Sequence, residues 1–202
     1  MSELRARLQA LSSSAVEDAR GKQGALPSAI QRLAGEGVFA GRAVTARCEV
    51  NSVSAVLRAL SEAGVGDVLV AQGPGEVGYF GELTGAEAVR RGMVAVVVDG
   101  MVRDIEKLRT LPLPVFARGL TPHGGLPSGR GEPGVELSIG NVVVRPGDWI
   151  VGDADGVVVV PQAAEAEVLR RAEEKLAGER TTLKELQDGQ TLGDVFARYG
   201  IL

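Results

Sequence analysis

Residues 93–98, Met-Val-Ala-Val-Val-Val, are apolar at every position, and this run limits what the chain can fold into more than any other stretch. A strand with one wet face alternates apolar and polar side chains. A strand without alternation is covered on both faces, as in a parallel sheet set between other layers. The flanking sequence fits that reading. Residues 67–71 form a second short apolar run that stops at Gln72-Gly73-Pro74-Gly75, and residues 38–50, after Gly37, read as an extended strand. Between them Val53, Val56, Leu57 and Leu60 fall on one helical face. Residues 82–91 read as a helix with a polar face. Strand, helix, strand, helix, strand at this spacing predicts the α/β class with a layered βαβ core.

The ends of the chain read differently. Over residues 1–35, Leu4, Leu8 and Leu11 keep helical spacing and Ser14-Ala15-Val16-Glu17 has the form of a capping box, until Gly21, Gly24 and Pro27 interrupt. Residues 121–134 hold five Gly and three Pro, which predicts a long loop. Short strands follow at 135–139, 142–144, 149–151 and 157–160, separated by turns at Gly140-Asn141 and Pro146-Gly147-Asp148. Residues 162–187 form a long charged helix and 192–199 a shorter one. So narrow an apolar stripe on a long helix suits packing against another subunit. The 202 residues therefore predict one domain: N-terminal helices over 1–35, an α/β core over 36–161 and C-terminal helices over 162–202.

Composition excludes several functions. With 22 basic against 26 acidic side chains and no basic run, there is no footprint for nucleic acid. One His and one Cys cannot build a structural zinc site, which takes about four such ligands. A lone Cys48 makes no internal disulfide, in keeping with a reducing, cytoplasmic setting. No apolar stretch reaches the roughly 18 residues of a membrane span, and the first residues lack the apolar core of a signal peptide. His123 is the sole histidine for a hydrolase triad, and no Gly-x-Ser-x-Gly elbow accompanies it. No phosphate-binding GxxxxGK[ST] loop exists, and Gly73-Pro74-Gly75 reads as a tight turn because no helix opens at Gly75.

The chemistry gathers at Gly81-Glu82-Leu83-Thr84 and Asp99-Gly100-Met101-Val102-Arg103-Asp104. The strand at 93–98 delivers Asp99 and Gly100 to its carboxyl end, where open α/β sheets bind ligands. Arg103 and Asp104 follow at once. Glu82 opens a helix whose free first-turn N–H groups offer an anion site. Two carboxylates, a guanidinium and a helix N-terminus thus share one crevice. Hard oxygen donors of this kind suit Mg²⁺ or Mn²⁺, and Arg103 suits an anionic substrate, a carboxylate. The same residues also read as an Arg-Asp ion pair beside a helix cap.

These segments carry a resemblance. Residues 67–122 and 145–161 are similar to the RraA-like family, which includes 4-hydroxy-4-methyl-2-oxoglutarate aldolases. Aldolases of that family carry an acidic residue, twenty intervening residues, then Arg-Asp; here Glu82 is followed by residues 83–102 and Arg103-Asp104. Some members have Asp where this chain has the longer Glu82. The resemblance implies a swivelling β/β/α fold and a divalent-metal-dependent pyruvate aldolase that also decarboxylates oxaloacetate. Asp104 would bind the metal directly, Glu82 through a water. Arg103 would hold the keto oxygen and stabilise the enolate, and the Leu83 and Thr84 amides would take the substrate carboxylate. Gly81 and Gly75 would lie against the substrate. Trimers or hexamers with sites between subunits are implied too. A neighbour's C-terminal helix would complete the metal shell, through Glu179 or, failing that, Glu174.

The alternative is a non-catalytic regulator that binds and inhibits a ribonuclease. Asp104 argues against it, since that branch of the family typically lacks an Asp after the Arg. A demethylmenaquinone methyltransferase, another label the family has carried, would need a glycine-rich strand–turn–helix for the methyl donor, which is missing. A Schiff-base aldolase would need a desolvated lysine. Of Lys22, Lys107, Lys175 and Lys184 only Lys107 lies near the crevice, flanked by Glu106 and Arg109. The remaining conspicuous residues read as structural: Asp99 as a cap of the Arg103 turn, His123 as loop surface, Cys48 as a small buried side chain, Trp149 as an anchor for the small-strand layer, Asp153 and Asp155 as turn residues.

Overall fold

The computed structural model describes residues 3–199. Helices α1 (Glu3–Gln9) and α2 (Ser13–Ala19) precede strands β1 (Gln31–Ala34) and β2 (Phe39–Arg47). Helix α3 (Ser54–Glu62), β3 (Val68–Gln72), β4 (Gly78–Phe80), α4 (Glu82–Arg90), β5 (Ala95–Val102), α5 (Ile105–Leu108) and β6 (Val115–Leu120) make the alternating core. Then come β7 (Glu132–Pro133), β8 (Leu137–Ile139), β9 (Val142–Val144), β10 (Trp149–Gly152) and β11 (Val157–Val160). A 3₁₀ turn at Gln162–Ala164 leads into α6 (Glu165–Gln187) and α7 (Leu192–Arg198).

The main sheet runs β1-β6-β5-β3-β2-β10-β11, with β4 paired to β5 and β7 to β2. Strands β2, β3, β5 and β6 are mutually parallel, as βα alternation requires. Antiparallel β1 closes one edge, and β10 and β11 extend the other. Side-chain alternation sorts the sheet into two faces. Leu69, Ala71, Val96, Val98 and Ala117 pack under α3, α4 and α5 with Val56, Leu60, Ala88 and Leu108. Val68, Val70, Val97 and Phe116 pack on the other face with Leu137, Ile139 and Val144 of the separate β8–β9 hairpin. Both faces of β5 are therefore dry, which is why its sequence lacks alternation. The layers are hairpin, sheet and helices, the β/β/α arrangement expected. A third cluster joins Leu8, Leu11 and Val16 to Trp149, Val158 and Val160, with Val168, Leu169 and Ala172 of α6.

Three local readings change. Residues 31–34, assigned to the N-terminal helical region, are edge strand β1. Gln-Arg-Leu-Ala has good helix propensity, but the open edge of β6 takes it as a partner. Helix α2 is capped by Ser12, whose Oγ accepts the Ala15 N–H at 3.2 Å, so the box is not Ser14–Glu17. Ser12, Ser13 and Ser14 could each cap; burial of Ala15, Val16 and Ala19 selects the register. Glu17 instead accepts the Gly24 N–H at 2.9 Å and ties down the next loop. Finally, β5 does not end at Val98. It runs through Asp99-Gly100-Met101 to Val102, because β4 and β6 pair with its second half at Met101 and Val102, overriding the poor strand propensity of Asp and Gly.

Candidate active site

The longer β5 settles where each carboxylate goes. Asp99 lies inside the strand and its side chain is only 10% exposed. It accepts a bond from Arg118 and another from Gln72 Nε2 at 3.1 Å. It does not cap the Arg103 turn, and it lies opposite Gln72 in the strand register, away from the crevice. Arg103 and Asp104 emerge past the strand end, beside the parallel strand β4 that leads into α4. Strands β4 and β5 thus deliver both expected loops to the same end of the sheet.

Asp104 adopts left-handed backbone geometry, φ 56° and ψ 37°, which is uncommon for a residue with a Cβ and is often kept for function. It stands at the N-cap of α5, where Lys107 and Leu108 N–H groups bond its carbonyl at 2.9 and 3.0 Å. An Asp in that position ordinarily caps its own helix with its side chain. Asp104 does not; its Oδ2 reaches across and accepts the first N–H of α4, from Glu82, at 3.1 Å. Arg103 Nε lies 3.4 Å from the same oxygen. The Arg103 N–H bonds Phe80 O at 2.9 Å, which fixes the turn against β4.

Gly81 makes this approach possible. A Cβ there would stand 2.5 Å from Asp104 Oδ2 and 3.0 Å from Arg103 Cγ. Its φ of −163° is ordinary extended backbone, so the requirement is space. The Gly81 N–H is taken by Thr84 Oγ1 at 2.9 Å. With Glu82 N–H on Asp104, the Leu83 and Thr84 amides are the first-turn donors that lack intrahelical acceptors by helix geometry.

A cleft of about 210 Å³ brings together Gly81, Glu82, Leu83, Thr84, Arg103 and Asp104. Its remaining walls were not singled out from the sequence: Val53 at the N-cap of α3 and Leu57 within it, Gly78, Tyr79 and Phe80 of β4, and Gly125 and Pro127 of the Gly/Pro-rich loop. Helical spacing puts Val53 and Leu57 on one apolar face with Val56 and Leu60. Packing divides that arc, since Val56 and Leu60 are core while Leu57 is 43% exposed. The loop is pinned by Gly78 N–H to His123 O at 2.7 Å and by Leu126 N–H to Asn51 O at 2.8 Å. A Cβ on Gly124 would collide with the Arg103 guanidinium, so that glycine lets the loop lie against the arginine.

Other expected members fall elsewhere. Gly75 is outside the cleft lining, whereas Tyr79 is part of it, with its ring against Gly73 and its hydroxyl donating to Pro74 O at 2.7 Å. Glu179 pairs with Lys175 at 3.1 Å and Glu174 with Arg170 at 2.7 Å on exposed α6, so neither joins this chain's own cleft. Lys107 is exposed and Lys175 is bound by Asp18 and Glu179, so neither is desolvated as Schiff-base chemistry demands. His123 is exposed loop. Burial pushes the Cys48 thiol up to about 12, which makes it inert. Asp153 accepts Ser13 N–H and Oγ–H, each at 2.7 Å, and anchors α2.

For a cation, the donor set is narrow. No group of three or more His, Cys, Asp or Glu side chains capable of holding a metal exists among the described residues. Asp104 Oδ1 has no protein partner among them, and Glu82 is exposed beside it. One or two carboxylate oxygens, with water or substrate completing the shell, fit a hard cation such as Mg²⁺ or Mn²⁺.

Fold and cleft together define a β/β/α-layered protein with a small cleft at its strand ends, the position where open α/β sheets bind ligands. The chain belongs to the RraA-like family, whose model, described as Aldolase/RraA, matches residues 11–159. It is 37% identical over 165 residues to a protein of Halalkalibacterium halodurans, covering 81% of this chain and 79% of that one; that relative carries the provisional name of a 4-hydroxy-4-methyl-2-oxoglutarate aldolase. A crystal structure of an uncharacterised Pseudomonas syringae protein matches with a TM-score of 0.85 at 26% identity, over 97% of this chain and 93% of that one. The RNA-processing inhibitor RraA of Thermus thermophilus matches with a TM-score of 0.68 at 33% identity, over 74% and 92%. No helix among the described residues is long and apolar enough to cross a membrane.

Proposed function

We propose that the cleft binds a 2-keto acid together with Mg²⁺ or Mn²⁺ and cleaves the bond that leaves a pyruvate enolate. The protein would thus be a carbon–carbon lyase acting on 4-hydroxy-2-keto acids of the 4-hydroxy-4-methyl-2-oxoglutarate type, with oxaloacetate decarboxylation at the same site. The observation that carries this reading is Asp104 itself. It holds a left-handed turn, leaves its own helix uncapped, fixes the α4 N-terminus through Oδ2 and keeps Oδ1 open beside Arg103. The aldolase name of the Halalkalibacterium relative supports it.

The chain's residues divide the work. The Leu83 and Thr84 amides, at the positive end of α4, receive the carboxylate. The Arg103 guanidinium takes the keto oxygen and the negative charge that gathers there as the bond breaks. Asp104, with Glu82 through a water, would hold the cation, which supplies Lewis-acid polarisation of the keto group. In aldol cleavage the C4 hydroxyl proton leaves toward the Glu82 carboxylate, directly or through one water. The C3–C4 electron pair becomes the enolate, and C3 then takes up a proton. In decarboxylation carbon dioxide leaves in place of the carbonyl product. We infer a homo-oligomer, trimer or hexamer, in which Glu179 or Glu174 of a neighbouring α6 could complete the shell.

The test is pyruvate release from oxaloacetate and from 4-hydroxy-4-methyl-2-oxoglutarate in a coupled assay, with Mg²⁺ or Mn²⁺, with EDTA, and with Arg103→Ala and Asp104→Ala. Turnover abolished by EDTA and in both variants is expected. A folded protein with no turnover above the metal-only background on either substrate refutes the lyase reading and leaves the ribonuclease-binding one in the lead.

A further inference from the structure

Little polar contact fixes the direction of Arg103. Among the described residues its guanidinium has one partner, Asp104 Oδ2 at 3.4 Å from Nε, and the side chain is 43% exposed. A long arginine stem samples many rotamers, and ordering it costs entropy. What holds this one is close packing against glycines. A Cβ on Gly78 would stand 3.2 Å from Arg103 Cβ, one on Gly81 3.0 Å from Cγ, and one on Gly124 would collide with Nη1. Gly78 lies in β4 and Gly81 at its junction with α4, both buried. Gly124 lies in the Gly/Pro-rich loop, so the wall at the guanidinium itself is only as fixed as that loop.

The loop is held at two places. Near its start, backbone bonds tie His123 to Gly78 and Leu126 to Asn51 and Val53. The second anchor is made by side chains of α3 and the turn before it. Arg58 donates from Nη1 to Gly129 O at 3.1 Å and from Nη2 to Gly131 O. Ser54 Oγ accepts the Gly129 N–H at 2.7 Å, and Ser52 Oγ donates to Arg130 O at 2.9 Å. Arg58 pairs with no carboxylate among the described residues; its fork spans the two loop carbonyls, which a planar guanidinium does with little loss of freedom per bond. It follows Leu57 in sequence but is not part of the cleft lining.

From these contacts we infer, resting on the lyase reading above, that Arg58 is a positioning residue for Arg103, assisted by Ser54. It acts through the loop. Fixing Gly129 and Gly131 on α3 keeps Gly124, Gly125 and Pro127 against the cleft, and Gly124 keeps the guanidinium aimed at the keto oxygen. With the second anchor cut, the first still holds the loop near its place, so the arginine gains freedom without leaving the site. A misplacement of about 1 Å at a reacting group can cost roughly 100-fold, and partial loosening is expected to cost about tenfold.

Oxalate, a planar dianion shaped like the enolate of pyruvate, reports the aim of Arg103 without turnover. Calorimetric titration with oxalate in Mg²⁺ compares wild type, Arg58→Met, Arg103→Ala and the double variant, and the number of sites separates weakened binding from a smaller folded fraction. Arg58→Met is expected to raise Kd about tenfold at an unchanged number of sites, with a fall of about tenfold in kcat for oxaloacetate decarboxylation. In the Arg103→Ala background the same substitution should change Kd by less than about twofold, because the two residues act as one unit. Ser54→Ala, a smaller cut at the same anchor, should raise Kd about threefold with the same dependence on Arg103. Wild-type Kd in both Arg58→Met and Ser54→Ala, or an equal loss once Arg103 is removed, would overturn the inference and leave the lyase reading intact. Wild type that neither binds oxalate nor releases pyruvate would remove the lyase reading and the inference with it.

Discussion

Replacing Gly81 by alanine separates the site from the fold. The backbone there is extended, φ −163°, so alanine introduces no conformational strain. Its Cβ, however, would stand 2.5 Å from Asp104 Oδ2, where ordinary contact begins near 3.4 Å. The carboxylate must therefore retreat by about 1 Å, a displacement that can by itself cost roughly 100-fold in rate. It also loses the Glu82 N–H, a bond that water replaces at a half-exposed carboxylate, so the cost in stability is below about 1 kcal/mol. The displacement carries the effect on rate, a fall in kcat/KM of about 10- to 100-fold. Half-exposed Asp104 can move into solvent, so stability should hold, with Tm within about 3 °C of wild type by the usual relation of Tm to free energy. Pyruvate release in the coupled assay and a thermal melt read the two quantities. Wild-type kcat/KM in a folded Gly81→Ala protein would show that the Asp104–Glu82 contact is not part of the machinery. A Tm drop of about 10 °C would show that Gly81 serves the fold.

Three further outcomes are expected. Phe116, fully buried and edge-on to Phe39 at 5.7 Å, should cost about 3–5 kcal/mol when cut to alanine; a urea-unfolding loss below about 1 kcal/mol would contradict the two-faced sheet. Arg118→Met strands Asp99 with Gln72 as its remaining partner and should cost about 1–2 kcal/mol, reduced from a fully buried pair because Arg118 is 37% exposed. Adding Asp99→Asn should recover most of that loss, and a double variant no more stable than Arg118→Met refutes the pairing. Cys48 should resist a thiol reagent at pH 8 and react on unfolding in guanidinium. With its folded value raised from 9.0 to about 12, its effect on stability is absent below about pH 9 and increasingly destabilising above, because the unfolded thiol then ionises and the folded one does not. Rapid labelling of the native protein, or a flat stability between pH 9 and 10.5, would contradict its burial.

How much of this was legible in the sequence depended on whether a residue's role is local. The apolar run at 93–98 needed no partner to announce a doubly covered strand, and Glu82, Arg103 and Asp104 stand in adjacent βα loops that any parallel sheet brings to one end. Strand boundaries were less legible. Asp99-Gly100 looks like a strand terminus in isolation, and only the pairing of β4 and β6 with Met101 and Val102 carries β5 onward. That error moved Asp99 from the crevice to a pair with Arg118, nineteen residues away in sequence. The cleft walls were hidden for a related reason. Val53 and Leu57 share an apolar arc with core residues, and no periodicity tells which side of the arc faces a void. Gly75 is placed against the substrate by the resemblance alone, whereas the cleft of this chain is lined by Tyr79 and not by Gly75.

The central claim is enolate chemistry at Arg103 and Asp104, and it can be measured without any choice of carbonyl partner. Pyruvate in D₂O with the protein and Mg²⁺, followed by proton NMR, reports exchange of the methyl protons through the enolate. Wild type should exchange them far above the metal-only background, with loss of exchange in EDTA, in Arg103→Ala and in Asp104→Ala. Absence of exchange with folded wild-type protein, or exchange that persists undiminished in both variants, would contradict the site assigned here.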